Sequence, residues 1–233
     1  MVELSTTEFR LDVPSMQREE VRAYSIGLFD EWEQRLGAEF AVKECSLRLE
    51  VEDGPVVGLA VVAATVEALH AGIETYPSFV EGLTAIQGRL RLEADRLALS
   101  ALKPFASLML MPRIARRSGA LGQLQHLLQR AKRRELEVEE AMVEAQWILG
   151  REESAVSEFM RAFADGLSHM RRHPDRISLL TVTDEGVAGR DARDNAARAA
   201  APDGTTSPPM QLKVEVWRDS RAGMRRLRIS ETW

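Results

Sequence analysis

Apolar residues recur with a period of two near both ends of this chain and with a spacing of three and four through its middle. The two periods demand different backbones. Alternation sends one face of a strand into a core, whereas the i, i+3, i+4 spacing lines one side of a helix. Phe9, Leu11 and Val13 alternate with polar residues over 8–13, and Leu47, Leu49 and Val51 do so over 46–52. Asp53-Gly54 then predicts a type I′ turn, with positive φ at both residues, into a return strand over 56–63. Pro55 cannot donate a ladder hydrogen bond, so it weakens that hairpin signal. Residues 177–183 are rich in strand formers, and Leu212, Val214 and Val216 followed by Leu227 and Ile229 spell a terminal hairpin.

Between these ends the pattern is helical. Pro14 ends the first strand and Ser15 is placed to cap a helix with Glu19 and Glu20 in its first turn. Val21, Tyr24, Leu28, Trp32 and Leu36 mark its buried side, and Gly37 is the expected stop. A short helix over 64–72 follows the return strand. Pro77 opens a longer one through Phe79, Leu83, Ile86, Leu90, Ala94, Leu97 and Ala101, which Pro104 ends. Three more stripes follow, over Leu121 to Leu128, Val138 to Ile148 and Val156 to Met170. The fold class expected is α+β: an antiparallel sheet gathering N- and C-terminal strands, with four to five amphipathic helices in the centre. The chain divides into a β-α-β-β segment (1–75), a helical region (76–175) and a C-terminal part (176–233). In the last, residues 184–209 have Val187 as their one sizeable hydrophobe and read as a flexible loop.

Composition removes several classes. With 233 residues, 45% hydrophobic and 29% charged, the chain is neither collagen-like nor disordered, and its single cysteine, Cys45, rules out an internal disulfide framework. The thiol fits a reducing compartment, and Met1-Val2-Glu3-Leu4-Ser5 lacks a secretory signal's basic and apolar regions, so a cytoplasmic location is expected. Of 31 basic residues only Lys43, Lys103, Lys132 and Lys213 are lysine, the coding habit of a GC-rich bacterial genome. A net charge of −5 and a pI near 5.6 argue against a protein that coats nucleic acid over its whole surface.

Charge is unevenly spread. Residues 97–134 carry no acid, while Arg113, Arg116, Arg117, Arg130, Lys132, Arg133 and Arg134 mark a basic run that could meet phosphate or an acidic partner. The acid-rich segment 135–160 and the N-terminal 52 residues could equally neutralise it within the chain. The apolar run Phe105, Leu108, Met109, Leu110 and Met111 precedes the cations, and methionine-rich surfaces adapt readily to partners. That run is the expected protein-contact segment, for another protein or a second copy of the chain.

No nucleophile elbow, phosphate loop or dinucleotide-binding glycine pattern occurs, and paired carboxylates such as Glu139 and Glu140 fall on solvated helix faces. No catalytic residue, cofactor or metal site is expected, although a site built from distant Glu and Arg leaves no local motif. Asp165, His169 and His173 share a helix face but sit beside Arg171 and Arg172. The reading is therefore a non-enzymatic protein-interaction module, an adaptor or regulatory subunit of a bacterial assembly. One alternative is a membrane-acting effector using 56–73 and 97–112. Against it, Glu67 and His70 interrupt the first segment and Lys103-Pro104 the second. The other is nucleic-acid binding through 113–134, or through a hairpin face shared by Trp217, Arg226 and Arg228.

Overall fold

The computed structural model describes residues 1–108, 110–150, 155–172 and 211–232. Strands β1 (Val2–Leu11), β2 (Cys45–Glu52), β3 (Val56–Ala64), β4 (Arg113–Arg117), β5 (Gln211–Arg218) and β6 (Arg226–Thr232) form one antiparallel sheet, ordered β4-β1-β3-β2-β5-β6. Helices α1 (Arg18–Glu39), α2 (Val66–Ile73), α3 (Phe79–Leu102), α4 (Gly119–Lys132), α5 (Val138–Leu149) and α6 (Ala155–Arg172) accompany it, with a 3-10 turn over Lys103–Leu108. The α+β class expected from the two periodicities is the one observed. The strand expected over 177–183, the loop 184–209 and His173 lie outside the described residues.

Local chemistry explains where the elements depart from expectation. β1 begins at Val2 instead of residue 8, because a bulge between Glu3 and Ser5 shifts the alternation. Val2 and Leu4 are buried on one phase and Thr7, Phe9 and Leu11 on the other, so no single period-two pattern spans the strand. Ser15 does not cap α1. Its hydroxyl donates to Asp53 Oδ2 (2.5 Å), the Met16 amide donates to Asp53 Oδ1 (2.9 Å), and Gln17 and Glu20 form the capping box instead. α1 also runs past Gly37 to Glu39, closing at Phe40. The β2–β3 connection is the three-residue loop Asp53-Gly54-Pro55, not a type I′ turn, and only Gly54 takes a positive φ (+111°). β4 is the strand that no pattern announced: Arg-Ile-Ala-Arg-Arg has one large aliphatic residue to show, Ile114, which sits opposite Phe9.

One face of the sheet is packed. Leu47, Leu49 and Val51 on β2, Val56, Ala60 and Val62 on β3, and Val214 and Val216 on β5 are buried. Phe9 lies directly across from Gly58, and its ring occupies the space a Cβ there would need. The 56–73 stretch is divided between β3 and α2, both within the core, and among the described residues no helix is long and apolar enough to cross a membrane.

α1 and α3 are joined by a charge cluster on the packed side. Glu93, 1% exposed, accepts from Arg96 (2.8 Å) through Oε1 and from Arg35 Nε (3.1 Å) through Oε2, and it forms an ion pair with Arg89 (3.0 Å), which donates to Glu39. Glu31 adds acceptors for Arg35 and Ser100, and a hydrogen bond from Lys103 holds its carboxyl below the usual range. Both oxygens of Glu93 therefore face guanidinium groups, which fasten α1 to α3.

Candidate functional site

A cleft of about 910 Å³ opens between α3, α4 and α5, with the start of β1 and the end of β4 at its edge. Its position follows from Gly119. This residue has φ +50°, and a Cβ there would lie 2.9 Å from the Leu4 carbonyl carbon and closer still to the Glu3 oxygen. Only a glycine lets the first turn of α4 rest on the β1 backbone in this way. Ser118 gives α4 no side-chain cap, and the first turn holds no acid, so the amide groups at this helix end keep their positive field.

Three guanidinium groups line the cleft: Arg91 from α3, Arg117 from the end of β4 and Arg133 just beyond α4. Arg91 and Arg117 form no ion pair among the described residues, and Arg133 lies 3.9 Å from Glu135. The two lining acids are already engaged. Glu144 accepts from Arg130 (3.0 and 3.3 Å), and Glu3 accepts from the Thr6 hydroxyl (2.6 Å). Gln87 and Gln125 line the same space at 6% exposure each, and neither carboxamide has a hydrogen-bond partner among the described residues. Such buried amides are normally satisfied. Here their open side is the cleft. Gln123, His126 and Gln129 add further polar groups, and Trp147 stands at the rim, 83% exposed.

The basic run that could meet phosphate or an acidic partner is divided. Arg117 and Arg133 enter the cleft, while Arg116 pairs with Asp95, Arg113 with Asp12 (3.6 Å) and Arg130 with Glu144. Lys132 occupies the last turn of α4, and Arg134 follows with φ +59°. Intramolecular pairing thus claims part of the cationic segment, and one partner, Glu144, comes from the acid-rich stretch after it.

The apolar run is divided as well. Phe105 packs edge-on to Tyr24 (5.9 Å), Leu110 lies against the core, and Met111 is 87% exposed. Leu108 closes the 3-10 turn, and Met109 lies outside the described residues. On the terminal hairpin Arg228 sits over the Trp217 ring at 5.8 Å, with Arg226 opposite Trp217, so those three share a face. Among the described residues no three potential ligands gather for a metal ion.

Sequence reasoning missed Gln87, Arg91, Gln125 and Trp147. A signal existed for the two glutamines. Gln87 falls between Leu83 and Leu90, and Gln125 between Leu121 and Leu128, each on the apolar stripe where a polar side chain needs a reason. Nothing local marks Arg91 or Trp147.

Cys45 is buried at the start of β2, and burial pushes its thiol up to about 11. Alkylation at pH 8 is expected to be about a hundredfold slower in the native chain than in urea, because burial leaves far less of the thiol ionised. Equal rates in the two states would place the thiol at the surface.

No protein-family model, no curated protein and no solved structure matches this chain.

Proposed function

We propose that this chain is a non-enzymatic binding module, of the adaptor or regulatory kind, whose cleft between α3, α4 and α5 takes an anionic ligand. One observation carries the reading: Arg91 and Arg117, without ion-pair partners among the described residues, face the same space as the carboxamides of the largely buried Gln87 and Gln125, which have no hydrogen-bond partner there. Charge-assisted hydrogen bonds to such groups contribute about 1.5–3 kcal/mol each. Calorimetric titration with tripolyphosphate at low salt is the test. Arg91→Gln with Arg117→Gln is expected to lower affinity at least about tenfold, without moving the unfolding midpoint. Unchanged affinity in the double variant contradicts the proposal.

A second reading, contact with another protein, is favoured by the other face of the sheet. Val57, Leu59, Val61 and Ala63 form a half-exposed apolar stripe along β3 there. The occupant it suits is a second copy of this chain. The flanking charges are already paired within the molecule, Arg48 with Glu50, Lys213 with Glu50 and Glu52, and Arg228 with Glu215, so no field of one sign selects a different partner. Six strands at a spacing of about 4.8 Å span roughly 25 Å, and strands of eight or nine residues run roughly 26–30 Å, so the face approaches the ~800 Å² that each partner contributes to a stable interface. Light scattering should find a dimer that Leu59→Arg converts to monomer. A wild-type monomer at high concentration removes this reading.

A further inference from the structure

Resting on the anion-binding reading, we infer that the ligand of the α3–α4–α5 cleft is a mononucleotide: phosphate held by Arg91 and Arg117, with an aromatic base laid against Trp147. Three features take the ligand beyond a bare anion. The first is size, since an open cleft of about 910 Å³ far exceeds the needs of one phosphate group.

The second is the hydrogen-bonding character of the floor. A phosphate oxygen only accepts, so it can satisfy the N–H groups of Gln87 and Gln125 but never their carbonyl oxygens. The two residues are 6% exposed overall, but their carboxamide atoms are reached from the cleft, so the oxygens suit a ligand that also donates. Ribose hydroxyls and the exocyclic amines of bases are donors of that kind. The engaged carboxylates Glu3 and Glu144, also on the lining, offer further acceptors for them.

The third is Trp147. Its indole is 83% exposed on α5, lines the cleft and has no ring contact among the described residues. Leaving so large an apolar surface in water is unfavourable, and a planar base is the partner that covers an indole face without regard to sequence. The uncapped end of α4 adds its positive field on the phosphate side of the same space.

The experiment is a fluorescence titration of the full chain with ATP, GTP, CTP and tripolyphosphate, using the wild type and Trp147→Leu. Nucleotides are expected to bind at least about tenfold more tightly than tripolyphosphate and to quench tryptophan emission, since stacking supplies a factor of this order. Trp147→Leu, an exchange at an exposed position, should remove about that tenfold advantage and leave tripolyphosphate binding unchanged. Equal affinities for nucleotides and tripolyphosphate, or a Trp147→Leu variant that binds nucleotides as before, overturn the nucleotide while the anion site stands. Failure of every anion to bind overturns both. A single-stranded octanucleotide that binds where mononucleotides do not also overturns the inference, assigning the cleft to a strand.

Discussion

Glu93→Ala lowers the free energy of unfolding by about 3–5 kcal/mol, a large share of the roughly 5–15 kcal/mol that holds a domain of ordinary stability. The carboxylate is 1% exposed and is the shared acceptor for Arg35, Arg89 and Arg96. Removing it leaves three cations facing one another, with Arg35 and Arg89 only 20% exposed and poorly placed to regain water. Arg35 keeps Glu31 and Arg89 keeps Glu39, but neither replaces the buried carboxylate between the two helices, and Arg35 Nη2 and Arg89 Nε already lack partners. Arg96 is 41% exposed and regains part of its hydration, which places the expected loss toward the lower end of the range. Urea unfolding measures it directly. A loss under about 1 kcal/mol means that the α1–α3 junction is held by apolar contact alone.

Gly119→Ala has the second large effect, and it joins fold to site. The positive φ of +50° costs an L-residue about 1–2 kcal/mol. The new methyl also meets the backbone of Glu3 and Leu4, which cannot rotate away, and overpacking of this kind adds about 1–3 kcal/mol. Relief requires α4 to lift from β1, carrying with it Gln125 and the helix end that faces the cleft. The variant should therefore lose stability and anion affinity together. Loss of stability with intact anion binding places the ligand elsewhere. Arg91→Gln separates the two effects, because the half-buried Arg91 contributes no ion pair to the fold among the described residues.

The sequence disclosed most where one period ran unbroken. α3 and α6 were legible from their stripes, as was the β5–β6 hairpin from its alternation, because each element buries one face against a single layer. It disclosed least where a local device reset the pattern. The bulge at Glu3 and Ser5 hid the first half of β1, and the bond from Ser15 to Asp53 moved the cap of α1 to Gln17. β4 was hidden for another reason: an edge strand packed through Ile114 alone shows one large hydrophobe among arginines.

The cleft was half visible. Arg117 and Arg133 belonged to a basic run that composition singles out, but the run's other members face different elements, and only tertiary structure sorts them. Gln87 and Gln125 carried a readable mark, a carboxamide on a leucine stripe. Arg91 and Trp147 join the site because α3 and α5 converge on α4, a relation between helices that no spacing within one of them encodes.

Heteronuclear NMR of the full chain titrated with tripolyphosphate tests the anion-binding cleft most directly. The predicted result is saturable movement of the Gln87 and Gln125 side-chain amides together with the Gly119 backbone amide, abolished by Arg91→Gln with Arg117→Gln. Shifts confined to the open face around Val57–Ala63 or to the β5–β6 hairpin, with those three groups unmoved, contradict it.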